Sequence, residues 1–191
     1  RVGPIHDGVE PTLACHRTEA RPQLVLAEVA PVDGVSEVAR IAHLQGVDLE
    51  QRDAVPGRNR VRAPVLFAKA VIPYLGAGGR IISIGSGLGE RVPFPGVTAY
   101  AMSKAALTSF TRGLSRELGP KGITVNLVQP GSTDTDSNPA NGAAADLQRS
   151  LTSLGRFGEP HEVANAVVFL ASPAASVITG AILNADGGAL A

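Results

Sequence analysis

The chain of 191 residues has no tryptophan, two tyrosines, one cysteine and one methionine, and its 17 basic residues are balanced by 17 acidic ones. Each scarcity excludes something. A lone Cys15 cannot form an intrachain disulfide. Zero net formal charge argues against nucleic acid or an acidic membrane surface as a partner. No apolar run approaches the ~20 residues of a membrane span, and no signal-peptide pattern opens the chain, so the expected compartment is the cytoplasm. Internal repeats and low-complexity tracts are absent. His6, Cys15-His16 and His43 show no ligand spacing, and no metal is expected. With 44% hydrophobic residues, the chain has enough apolar side chains for one core, which points to a single domain.

The most informative stretch is Tyr100-Ala-Met-Ser-Lys104. On a helix over Ala99–Leu118, residues four apart share one face, so this phenol and ammonium converge on one point. A free phenol is a poor proton donor or acceptor at neutral pH, and a fixed positive charge nearby favours the phenolate. Taken alone, the pair reads more readily as an aromatic at the mouth of an amphipathic helix beside a solvated lysine. Its surroundings reverse that reading.

Upstream, Gly79-Arg-Ile-Ile-Ser-Ile-Gly-Ser86 is a short β-branched run that reads as a buried strand with Ser86 at its carboxyl end. Active groups of open parallel sheets gather at such ends. Downstream, Gly122-Ile-Thr-Val-Asn-Leu-Val-Gln-Pro-Gly131 is a second strand, closed by Pro130-Gly131 and a polar loop with Thr133 and Thr135. A helix over His161–Ala171 then leads to a last strand within Thr179–Gly188. Pro139–Asp146 reads as a small-residue loop running into a helix. Strand and helix alternate to the end, which implies an α/β fold with a parallel sheet flanked by helices.

Gly85-Ser-Gly-Leu-Gly89 follows a strand, yet it is not read as a dinucleotide-binding loop. Such a loop needs a helix that begins among the glycines, and Pro93 and Pro95 forbid one. It is not a hydrolase nucleophile elbow either, because position 84, two residues before Ser86, is Ile84 rather than glycine.

From Val61 to the C-terminus the chain resembles the short-chain dehydrogenase/reductase family. The resemblance rests on Arg62-Ala-Pro, the strand ending in Ser86, Pro95-Gly96-x-x-x-Tyr100-x-x-x-Lys104, Asn126, Pro130-Gly131-x-x-x-Thr135, Gly155-Arg-Phe-Gly-x-Pro160 and Asp186-Gly-Gly188. The 3-oxoacyl-[acyl-carrier-protein] reductase-like members are the nearest, together with sugar or alcohol dehydrogenase-like ones. The resemblance implies a Rossmann-like fold and NAD or NADP as cofactor. It also implies a small-molecule carbonyl or alcohol substrate and a homodimer or homotetramer. By the same resemblance Tyr100 is the general acid or base, Lys104 holds the nicotinamide ribose and tunes Tyr100, and Ser86 hydrogen-bonds the substrate carbonyl. Pro130, Gly131, Thr133 and Thr135 join Tyr100 and Lys104 as cofactor-binding positions. The helices Arg62–Tyr74 and Ala99–Leu118 correspond to the family's dimer contact, with Phe67 and Phe110 as candidates for an outward apolar patch.

Residues 1–60 depart from this pattern and form a divergent segment ahead of the 61–191 part. They contain no Thr-Gly-x-x-x-Gly-x-Gly turn and no Asn-Asn-Ala-Gly strand end. Gln23–Val29 reads as a strand and Val35–Leu44 as an amphipathic helix, which amounts to one β-α unit. Arg60 fills the slot before Val-Arg-Ala-Pro where the family places asparagine, and Asn59 lies one residue early. Either natural divergence or a shifted reading frame would produce the Arg- and Pro-rich segment that ends near Val61. A truncated, catalytically silent member of the family is the alternative to an active oxidoreductase. In both cases the chain is expected to bind NADH or NADPH poorly, since the pyrophosphate lacks the usual backbone donors and helix N-terminus. A fluorescence titration giving micromolar affinity would overturn that expectation.

Overall fold

A computed structural model describes the backbone of Leu24–Ala27 and residues 58–191. The segment read as a helix over Val35–Leu44 lies outside the described residues. Eight regular elements follow in chain order: β1 (Leu24–Ala27), α1 (Arg58–Val71), β2 (Arg80–Ile84), α2 (Thr98–Leu118), β3 (Thr124–Pro130), α3 (Ala145–Ser150), α4 (Pro160–Ala171) and β4 (Ile182–Ala185). Short 3-10 turns at Ile72–Tyr74, Gly87–Gly89, Gly119–Lys121 and Pro173–Ala175 punctuate them.

The four strands pair in the order β1-β2-β3-β4, and every pairing is parallel. Parallel neighbours need long crossovers, and the connections from β2 to β3 and from β3 to β4 each contain a helix. The central strands β2 and β3 are buried on both faces, which explains why they read as short β-branched runs rather than as an alternating pattern. Ile81 and Ile82 are adjacent in β2 and both fully buried, but a strand sends successive side chains to opposite faces. Ile81 joins Val125, Ile123, Ala68, Val71, Leu75, Leu114 and Leu118 in a core shared with α1 and α2. Ile82 joins Val128, Leu170 and Ala175 in a second core under α4. Helices thus cover both faces of a parallel sheet, the α/β arrangement expected from the strand and helix alternation and the Rossmann-like fold that the resemblance implies.

The long helix α2 forms because Thr98–Leu118 has no proline and buries one stripe: Ala101, Lys104, Leu107, Thr111, Leu114 and Leu118. It stops at Gly119-Pro120, and Gly122 turns the chain at φ 70°, a left-handed conformation in which a side chain would be strained. Phe67 and Phe110 differ from their expected outward role. Both are half-buried and pack against the α1/α2 core. The exposed apolar side chains on these helices are Val65, Met102 and, just after α1, Tyr74.

Candidate functional site

Ser86 sits two residues beyond β2 and caps the Gly87–Gly89 turn, its hydroxyl accepting from the Leu88 amide at 3.3 Å. That turn lies hard against α2. A methyl group built on Gly89 would stand 2.9 Å from the Ala105 nitrogen and 3.0 Å from the Lys104 carbonyl carbon, so only glycine lets the two backbones approach this closely. Gly89 therefore serves a close packing contact, and only the 3-10 turn, not an α-helix, begins among these glycines; α2 starts at Thr98.

Tyr100 lies in the first turn of α2 and is half-buried. Lys104 follows one turn later and is only 4% exposed. A buried ammonium needs compensating acceptors. One is the Ile84 carbonyl, which accepts from Lys104 Nζ at 3.3 Å. The ammonium also stands 5.6 Å from the centre of the Tyr100 ring, within cation–π range. Ser103, between them, turns its hydroxyl back onto the Tyr100 carbonyl at 2.7 Å and takes no outward part. The structure thus brings Ser86, Tyr100 and Lys104 to the carboxyl end of β2.

Pro130 and Gly131 end β3, the parallel neighbour of β2, so they stand on the same rim. Gly131 packs so tightly on Asp186 that a methyl there would lie 2.7 Å from the Asp186 Cα. Thr133 is half-buried and donates from Oγ1 to the Gly131 carbonyl at 3.2 Å, whereas Thr135 is exposed. Their loop is pinned along its length. Thr133 bridges Gly158, and the Asp134 amide donates to the Gly158 carbonyl at 2.9 Å. Asp134 Oδ1 accepts from the Ala140 amide, and Asn138 pairs amide to amide with Gln148 of α3. Asn126, another residue of the sequence pattern, is not at this rim. It is fully buried and bridges the loop before β4, donating to the Ile178 carbonyl and accepting from the Ala181 amide.

Two features were not foreseen from the sequence. The first is Arg60, whose guanidinium carbon lies 5.0 Å from the Tyr100 ring centre. Its place in the Val-Arg-Ala-Pro pattern was the available signal. The second is the C-terminal segment. Asp186 gathers the Gly188 and Leu190 amides onto its two carboxylate oxygens, and Leu190 comes within reach of the Gly87 turn. Arg91 donates to the Ala189 carbonyl at 2.8 Å, tying the loop after Ser86 to the same segment. Among the described residues no group of three or more His, Cys, Asp or Glu is assembled for a metal ion, and no helix is long and apolar enough to cross a membrane.

The Gly158 loop is held in turn by Arg156 and Glu162. The guanidinium of Arg156 grips the Glu162 carboxylate with both nitrogens, at 2.8 and 2.7 Å, and Glu162 also accepts from the Glu159 amide at the start of α4. The Arg156 hydrogen bonds, and secondarily the Glu159 amide, hold the Glu162 carboxyl down from its ordinary 4.5 to about 2. A depressed carboxyl stabilises the fold above its unfolded value, and that contribution is lost as pH falls from about 4.5 through about 2. An NMR titration should give the Glu162 carboxyl a midpoint near 2 in the native chain. Arg156→Gln should return it toward the ordinary range; an ordinary midpoint in the native chain would contradict the contact.

Residues 37–189 match the family model described as enoyl-(acyl carrier protein) reductase. The chain is 49% identical over 127 residues to the cyclic-di-GMP-binding biofilm dispersal mediator protein of Escherichia coli, covering 66% of this chain and 54% of that protein. It is 46% identical over 114 residues to the 3-oxoacyl-[acyl-carrier-protein] reductase FabG of Vibrio harveyi, covering 58% of this chain and 45% of the reductase. A short-chain dehydrogenase of Burkholderia cenocepacia, solved in complex with NADP, superimposes with a TM-score of 0.68 at 52% identity, over 69% of this chain and 54% of that one. The chain spans about half the length of the curated relatives it matches.

Proposed function

The chain belongs to the short-chain dehydrogenase/reductase family, and from that membership we propose that it interconverts a ketone and a secondary alcohol with NADP or NAD as cofactor. The observation that carries this reading is the Tyr100–Lys104 turn, anchored through Lys104 Nζ to the Ile84 carbonyl beside Ser86.

The donor set fits the nicotinamide-ribose end of such a cofactor. An ammonium fixed at a strand end offers N–H donors to ribose hydroxyls, and Pro130 at the neighbouring strand end is followed by Gly131 and by the loop that carries Thr133 and Thr135. When bound, the cofactor supplies or accepts the hydride. Reduction builds negative charge on the carbonyl oxygen, and groups aimed at that oxygen help most when they bind the charge more strongly than the neutral ground state. Ser86 donates a hydrogen bond to the oxygen, and Tyr100 gives it the proton; in the reverse direction Tyr100 takes the proton back. Lys104, one turn along α2, sets its ammonium 5.6 Å from the centre of the Tyr100 ring and so helps to hold the ring in place.

For a preparation that turns over, Tyr100→Phe keeps the ring and deletes only the proton, so kcat/KM should fall by roughly 10²- to 10⁴-fold. Equal rates would remove Tyr100 from the mechanism. Lys104→Met should impair both cofactor binding and turnover, and a loss confined to one would assign it a single role. A chain that binds no cofactor at any concentration would favour the catalytically silent alternative.

The same reading makes the chain a homodimer or homotetramer built on α1 and α2. Val65, Tyr74 and Met102 are the exposed apolar side chains available there. Light scattering at micromolar concentration should show an assembly, and a monomer would count against it.

A further inference from the structure

Arg60 departs from the family pattern and yet comes to the centre of the site. It is exposed, in the first turn of α1, with its guanidinium over the Tyr100 ring at 5.0 Å from the ring centre. Tyr100 therefore has two cations about it, since Lys104 Nζ is 5.6 Å from the same point. The two are not equivalent. Lys104 is buried and turned to the Ile84 carbonyl, whereas Arg60 is open to solvent. Among the described residues Arg149 pairs with Asp146 and Arg156 with Glu162, and no carboxylate of those residues pairs with Arg60. A ring holds a guanidinium by its charge but does not match the planar fork of N–H donors, which is made for a carboxylate.

We propose that Arg60 is a specificity-determining residue that receives an anionic head group, so that the substrate of this site is a short oxo acid or hydroxy acid rather than a neutral ketone or alcohol. The carboxylate meets Arg60 while the carbonyl, a few bonds away, reaches Ser86 and Tyr100. An asparagine at this position carries no charge and cannot make that selection. The inference rests on the proposed carbonyl chemistry for its second half alone; the anion preference is a property of binding.

The test is a calorimetric titration of the full chain with 4-oxopentanoate and with its neutral near-isostere 4-oxopentanamide, each with and without NADP, which cannot reduce a ketone. The native chain should bind the acid roughly tenfold or more tightly than the amide, the scale of one charge-assisted pair. That ratio should shrink as salt is raised. Arg60→Met keeps an unbranched apolar stem on an exposed position and should bring the acid down to the amide's affinity, with Arg60→Lys restoring part of the ratio. Circular dichroism checks that the variants are folded. A ratio near one in the native chain, a ratio that survives in Arg60→Met, or failure of both ligands to bind would each overturn the proposal. Turnover with NADPH is read separately. Anion preference without turnover would refute the proposed reaction and leave Arg60 in place, and turnover of neutral ketones without preference would do the reverse.

Discussion

The site depends on one buried contact, the hydrogen bond from Lys104 Nζ to the Ile84 carbonyl at 3.3 Å. An ammonium in a 4% exposed side chain is costly unless it is matched by acceptors, and this one joins the second turn of a helix to the end of a strand. Together with the packing of α2 on the sheet, the contact ties this part of the helix to the carboxyl end of β2. With that distance fixed, the Tyr100 ring, one turn earlier on the helix, and Ser86, two residues after the strand, have little freedom to separate. A helix that slid by one turn would carry the phenol about 5 Å along its axis.

Close backbone approach reinforces the same constraint. At Gly89 the turn after Ser86 touches the backbone of Lys104 and Ala105, and at Gly131 the end of β3 touches Asp186 after β4. A side chain at either position would push two elements apart by an appreciable fraction of an ångström. Placement on that scale matters for proton transfer, which needs heavy atoms within hydrogen-bond reach. Glycine at these two places is thus a positional requirement of the site. The Thr133 loop is fixed more loosely, through the Gly158 bridge and the Arg156–Glu162 pair, whose members are both well exposed. Exposed ion pairs of this kind add little stability. Their role here is to hold one loop against another.

Much of this was legible in the residues. Residues 80–84 and 124–130 are buried along nearly their whole length, in keeping with the buried strands that their short β-branched runs imply. The helix read over Ala99–Leu118 is observed over Thr98–Leu118. Spacing alone put Tyr100 and Lys104 on one face. Phe67 and Phe110 show where this kind of reading stops. Their period is compatible with facing outward or inward, and only the packing of α1 against α2 turns them partly onto the core.

The sequence by itself determined the element order, the parallel sheet and the local pairing of a phenol with an ammonium, because these follow from periodicity and from residues within one helical turn. The tertiary structure alone decided which distant groups meet. That the Lys104 ammonium finds the Ile84 carbonyl, that Asn126 braces the β4 loop, that residues 186–190 close over the Gly87 turn and that Arg60 stands over Tyr100 are contacts between residues 20 or more positions apart. No propensity or spacing encodes such contacts. They arise when two sheet faces are buried at once, and the helices can then settle only where their side chains fill the space that the strands leave.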